Sequence, residues 1–161
     1  MSRRLLAACV IILLLGIPAD AGWLRAEGGQ MPANAIVAGK NHNGLPLYVC
    51  RGEHEGGLYP GILDETSLDC SIHHGGREFL INDFEVLTGE KYKWISVFNG
   101  EIPFDALQAG KGLEGNSIYV CRGEMDSVWR PGTISQADDG CRVLNAGKEQ
   151  TALWYEVLVG E

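Results

Sequence analysis

Tyr48-Val49-Cys50-Arg51-Gly52-Glu53 recurs letter for letter as Tyr119-Val120-Cys121-Arg122-Gly123-Glu124. Shifting the chain by the same 71 residues aligns it with itself without a gap. Trp23 meets Trp94, Pro32 meets Pro103, and Ala38-Gly39-Lys40 meets Ala109-Gly110-Lys111. Pro60-Gly61 meets Pro131-Gly132, Cys70 meets Cys141, and Glu85-Val86-Leu87 meets Glu156-Val157-Leu158. Over residues 23–90 against 94–161, 24 of 68 pairs are identical. A duplication that keeps its length implies pseudo-twofold symmetry, so a site built by one repeat has a potential twin in the other.

The repeated core is strand-like. Leu47 to Cys50 is apolar throughout, which predicts a strand covered on both faces. Further strands are expected at 36–38, 61–63, 70–73 and 84–87, with copies at 107–109, 118–122, 132–134, 141–144 and 155–158. The chain holds 22 glycines, spaced between short apolar runs, which signals many tight turns. No stretch past residue 21 sustains a helical period. Pro60 and Pro131 suggest strand-edge or turn positions, because proline cannot donate to a ladder. These features predict an all-β protein, a sandwich or pair of small antiparallel sheets. Each half is marginal in size alone, so the halves are expected to interlock.

Residues 1–21 read as a secretory signal peptide. Arg3-Arg4 open it, residues 5–15 form an apolar run too short to span a bilayer, and Ala19-Asp20-Ala21 offers a cleavage site after Ala21. The division is then a leader at 1–21 and repeats at 22–90 and 91–161. The expected location is extracellular or periplasmic. No other segment predicts membrane insertion. The net charge of −8 repels phosphate backbones, so no nucleic-acid partner is expected.

Four cysteines follow the leader: Cys50, Cys70, Cys121 and Cys141. In an exported chain an even count suggests disulfides. The duplication favours Cys50–Cys70 with Cys121–Cys141. A pairing exchanged between repeats is the rival, and four buried thiols the bland alternative.

Each repeat carries, in one order, a Trp, Pro-x-x-Ala-x-x-Ala-Gly, Tyr-Val-Cys-Arg-Gly-Glu, Pro-Gly, a second Cys and Glu-Val-Leu. In this the chain resembles the DM9 repeat family (also called DUF3421), over all residues after the leader. The resemblance implies a compact all-β domain of two interlocked repeats without catalytic activity. It also implies lectin-like binding of mannose-type or other glycans. In mannose-binding relatives an acidic residue lies two positions after the Ala-Gly pair, and a lysine directly follows Pro-Gly. Those positions are here Asn41 and Gly112, and Ile62 and Thr133, so neither repeat keeps the charged pair. The other reading is a structural or protein-interaction module of the envelope or extracellular space that has lost sugar binding.

The expected carbohydrate-binding region is the Ala-Gly and Pro-Gly turns. It comprises Lys40, Asn41, Tyr59 and Ile62, with Lys111, Trp129 and Thr133 in the twin. The lysines would supply the missing cation, although exposed turn lysines are commonplace. An aromatic plane suits the C–H face of a sugar, although Trp129 and Tyr59 could equally be packed. Weak single sites would gain avidity through the duplication or a homodimer. Arg51, Glu53, Arg122, Glu124, Glu78 and Glu149 are expected to pair for structural reasons, and Trp23 and Trp94 to anchor the core. His42, His54, His73 and His74 all lie in the first repeat at spacings that match no metal motif, and adjacent His73 and His74 should face opposite sides of a strand. No metal, cofactor or catalytic residue is expected. A Cys70 nucleophile beside His73 or His74 would require a free thiol, which a disulfide removes.

Overall fold

A computed structural model describes residues 22–26, 31–145 and 147–160. The expected leader lies outside the described residues. The first repeat forms β1 (Trp23–Ala26), β2 (Val37–Lys40), β3 (Pro46–His54), β4 (Gly57–Asp64), β5 (Cys70–His74), β6 (Arg77–Ile81) and β7 (Phe84–Leu87). The second forms β8 (Tyr92–Phe98), β9 (Gln108–Lys111), β10 (Ser117–Met125), β11 (Val128–Ile134), β12 (Cys141–Asn145), β13 (Lys148–Ala152) and β14 (Trp154–Gly160). Among the described residues the fold is all-β, two repeat sheets joined where β4 meets β9, without a closed barrel.

The long strand β3 organises its repeat. One edge pairs with β4 from Leu47↔Asp64 to His54↔Gly57. The other edge is shared end to end, by β2 around Pro46–Tyr48 and by β7 at Cys50–Gly52. Strand β1 extends the sheet beyond β7, and the β5–β6 hairpin extends it beyond β4. Strand β10 organises the second repeat in the same way.

Alternation along β3 explains why its apolar run has no polar face. Val49 points into a central cluster with Ala38, Leu87, Ala109, Val120 and Leu158, which both repeats share. Cys50 points the opposite way, into the first repeat's own cluster with Cys70, Ile72, Phe84 and Val86. Cys121, Ile134, Cys141, Val143 and Val157 form the second repeat's cluster. Burying each such side chain contributes about 2 kcal/mol, so the three clusters, and above all the shared one, hold the halves together. Disulfides join Cys50 to Cys70 and Cys121 to Cys141, one inside each outer cluster.

The interlock is backbone to backbone. A Cβ on Gly39 would strike the Trp129 carbonyl, and one on Gly110 would strike the Leu58 carbonyl. Each repeat thus presses its Ala-Gly strand onto the opposite repeat's Pro-Gly strand, and only glycine permits the approach. This corrects the reading of these segments as turns. Ala38 and Ala109 are wholly buried within β2 and β9. Pro60 sits inside β4 opposite Arg51, and Pro131 inside β11 opposite Arg122. Proline is tolerated mid-strand because the outer edge of β4 changes partner there. Leu58 bridges Lys111 on β9, while Gly61 and Ile62 pair with β5, so no N–H is required between.

The charged repeat residues form two copies of one clamp. Arg51 donates from Nε to Glu85 at 2.6 Å and lies 4.0 Å from the Trp23 ring centroid. Arg122 donates to Glu156 at 2.6 Å and lies 4.3 Å from Trp94. Arg51 and Glu85 face each other across β3 and β7, with β1 adding Trp23 beyond. The separated Trp, Arg and Glu-Val-Leu motifs are therefore one unit pinning three strands. The partners of Arg51 and Arg122 are these glutamates, not Glu53, Glu78, Glu124 or Glu149.

Candidate functional site

A hollow of about 330 Å³ opens between the repeats. The first repeat contributes Tyr59 and Pro60 of β4 and His73 and His74 of β5. The second contributes the 112–116 loop, including Glu114 and Asn116, together with Thr133, Ser135 and Arg142. At its inner end it shares Pro60, His73, Thr133 and Arg142 with a crevice of about 30 Å³, room for roughly one water. That crevice lies on the pseudo-twofold, since Val49 with Val120, Pro60 with Pro131 and Gly61 with Gly132 line it as mates. At its outer end the hollow shares Glu114, Asn116 and Ser135 with a further depression of about 480 Å³. The three form one groove running outward from the axis. A wider hollow of about 870 Å³ around Arg25, Glu53 and Asp83 belongs to the first repeat alone.

Local chemistry fixes the walls. The loop 112–116 closes through Gly112 N–H to the Asn116 carbonyl at 2.9 Å. Tyr59 is buried, with His74 stacked obliquely at 4.6 Å between centroids. His73 Nε2 is buried without a hydrogen-bond partner. Burial pushes its pKa below 6.5, against the opposing pull of the Glu78 and Glu149 carboxylates. Arg142 Nε lies 3.2 Å from Asp138 Oδ1, an ion-pair distance, yet out of line for a hydrogen bond. Beside the groove, His73 Nε2 and Arg142 Nε are therefore buried nitrogen atoms without a hydrogen bond.

The expected site residues are not brought together as a set. Tyr59 and Thr133 line the groove, and Ile62 and Thr133 line the axial crevice. Asn41 is occupied in its own turn, its Oδ1 accepting from Asn43 N–H at 2.9 Å and Leu45 N–H at 3.0 Å. Lys40 and Lys111 are exposed at strand ends, and the Lys40 carbonyl accepts from Arg130 at 2.8 Å. Trp129 is half-buried under Arg122, 4.8 Å from its guanidinium carbon. Sequence reading missed Glu114, Asn116, Ser135 and Arg142, which only the fold carries to the opposite repeat. His73 and His74, expected on opposite sides of a strand, both line the groove, because it passes around the end of β5 at Gly75.

Residues 11–79 and 64–153 each match the DM9 repeat family. The chain belongs to that family. No curated protein matches the chain in sequence. DM9 repeat proteins are non-catalytic. Among the described residues no cluster of three or more His, Cys, Asp or Glu side chains could hold a metal, and no helix is long and apolar enough to cross a membrane. Cys70 is tied up in its disulfide and offers no nucleophile beside His73.

Proposed function

We propose that this DM9 protein is an exported, disulfide-stapled glycan-binding protein whose site is the groove between the repeats. The carrying observation is the convergence of an aromatic wall, Tyr59 with His74, and the polar groups Glu114, Asn116, Ser135 and Arg142 on one concavity. Concave sites with a few placed polar groups suit small ligands, and charge-assisted hydrogen bonds hold vicinal hydroxyls. Glu114 and Arg142 stand in for the acidic residue and lysine that resemblance to mannose-binding relatives leads one to seek at Gly112 and Thr133. The ligand would be a glycan of mannose type or another neutral class. Export through the 1–21 leader accords with the two disulfides, which persist in oxidising compartments. The repeats at 22–90 and 91–161 act as one binding unit, and a homodimer would add avidity.

A glycan array with the mature oxidised protein tests this. A defined neutral-glycan hit that Glu114→Ala and Asn116→Ala each weaken, with an unchanged thermal melt, supports the reading. A blank array, or a hit untouched by both substitutions, removes the groove from consideration.

A further inference from the structure

Where β8 meets β14, the second repeat ends in side chains its frame does not require. Trp154 is 77% exposed and stacks on Phe98 at 5.1 Å between centroids. Leu153 stands exposed in the adjoining turn. The Leu153 carbonyl accepts from Asn99 N–H, which ties this turn to the one that follows Phe98. The first repeat is an internal control. Asn82 and Asp83 occupy the mates of Leu153 and Trp154, and Asp83 pairs with Arg25 at 2.9 Å in full view of solvent. The same architecture thus forms with a polar tip, so the aromatic tip answers to something other than folding.

The tip is also acidic. Glu101 closes the turn that follows Phe98, and Gly100 packs against the backbone of Asp138 and Asp139. Residues 98–106, 136–140 and 151–156 contain no Lys, Arg or His.

We propose that this tip docks a basic, extended segment of another protein, with an arginine laid over Trp154 and neighbouring basic groups on Glu101 and Asp139. The chain shows the chemistry twice within itself, where a tryptophan face and a carboxylate together hold Arg51 and Arg122. A projecting surface is a poor small-molecule site. A second copy docked by twofold symmetry would set these carboxylates against their own copies. Anionic lipid headgroups would meet the same repulsion. A cationic partner alone satisfies both the rings and the acids, and tryptophan is a usual anchor of such interfaces.

The probe is a synthetic 14-residue peptide alternating arginine and leucine, titrated against mature protein and the Trp154→Asp variant. Asp is what the first repeat holds there, and a thermal melt confirms folding. The variant is more acidic, so attraction by net charge alone predicts equal or tighter binding. The proposal predicts binding weakened about tenfold. A second variant, Glu101→Gln with Asp139→Asn, keeps the rings and should also weaken binding and flatten its salt dependence. Equal or tighter binding by Trp154→Asp overturns the proposal. So does Trp154-dependent binding to phosphatidylserine vesicles, or Trp154-dependent dimerisation in sedimentation, without peptide binding.

Discussion

The two repeats agree in their interior and part company at their rims. The clamps Trp23–Arg51–Glu85 and Trp94–Arg122–Glu156, the disulfides and the glycine contacts superpose under the 71-residue shift. The groove walls do not. Tyr59 has Arg130 as its mate, and His73 and His74 have Leu144 and Asn145. Arg130, buried like Tyr59, reaches the Lys40 carbonyl at 2.8 Å and His42 Nδ1 at 3.3 Å. It therefore ties the first repeat's 40–42 segment to the second repeat, where the groove side keeps aromatic rings and an opening. A duplicated frame measures constraint by itself: positions that the interlock needs stayed paired, and positions lining the groove diverged.

The most damaging way to break the correspondence is at the interlock. Gly39→Val should abolish a cooperative thermal melt, a loss above about 4 kcal/mol, and Gly110→Val should do the same. Glycine is required there by backbone proximity, not by a turn, and one intact contact cannot compensate the other. Replacing Cys50 and Cys70 together by Ala, or Cys121 and Cys141, should each lower stability in urea by about 3 kcal/mol, because both loops span 20 residues. Unequal losses would show that the repeats are less alike energetically than geometrically. The clamps should separate next. Glu156 is 17% exposed against 38% for Glu85, and Arg122 stacks on two tryptophans where Arg51 stacks on one. Arg122→Ala should cost about 2 kcal/mol and Arg51→Ala about 1.

The smallest effect sharpens the comparison through pH. His73 has its folded pKa below the unfolded 6.5, so the unfolded chain binds the proton more readily. Its stabilisation is full above pH 6.5 and fades as pH falls through the interval below that value. His73→Leu installs the second repeat's residue. It should remove part of the stability loss between pH 7 and 5, by less than about 1 kcal/mol, in parallel urea titrations.

Much of the fold was legible because duplication repeats its signals. The apolar strands β3 and β10, the cysteine positions and the all-β class follow from short motifs and their spacing. Strands β6 and β13 were not anticipated, because Arg77–Ile81 and Lys148–Ala152 are outer strands with mostly exposed side chains. Strand β8 was not anticipated either; in Tyr92–Phe98 only Trp94 was singled out, as a core anchor, and it packs against the shared cluster. The site was less legible than the fold. Tyr59 and Thr133, singled out for their place beside the Pro-Gly pairs, line the candidate groove. Glu114 and Arg142 lie in segments far apart in sequence from Tyr59, and no local pattern marks their meeting. Asn41 looked available, but its side chain is spent on its own turn.

The central claim is that one groove, not two, binds ligand, since Arg130 replaces Tyr59 on the twin side. The direct measurement is the stoichiometry of the best array glycan by titration calorimetry on the mature oxidised protein. The account predicts one glycan per chain, with binding lost in Asn116→Ala and retained in Asn41→Ala. Two equivalent sites per chain, or loss of binding on Asn41→Ala with Asn116→Ala unaffected, would contradict it.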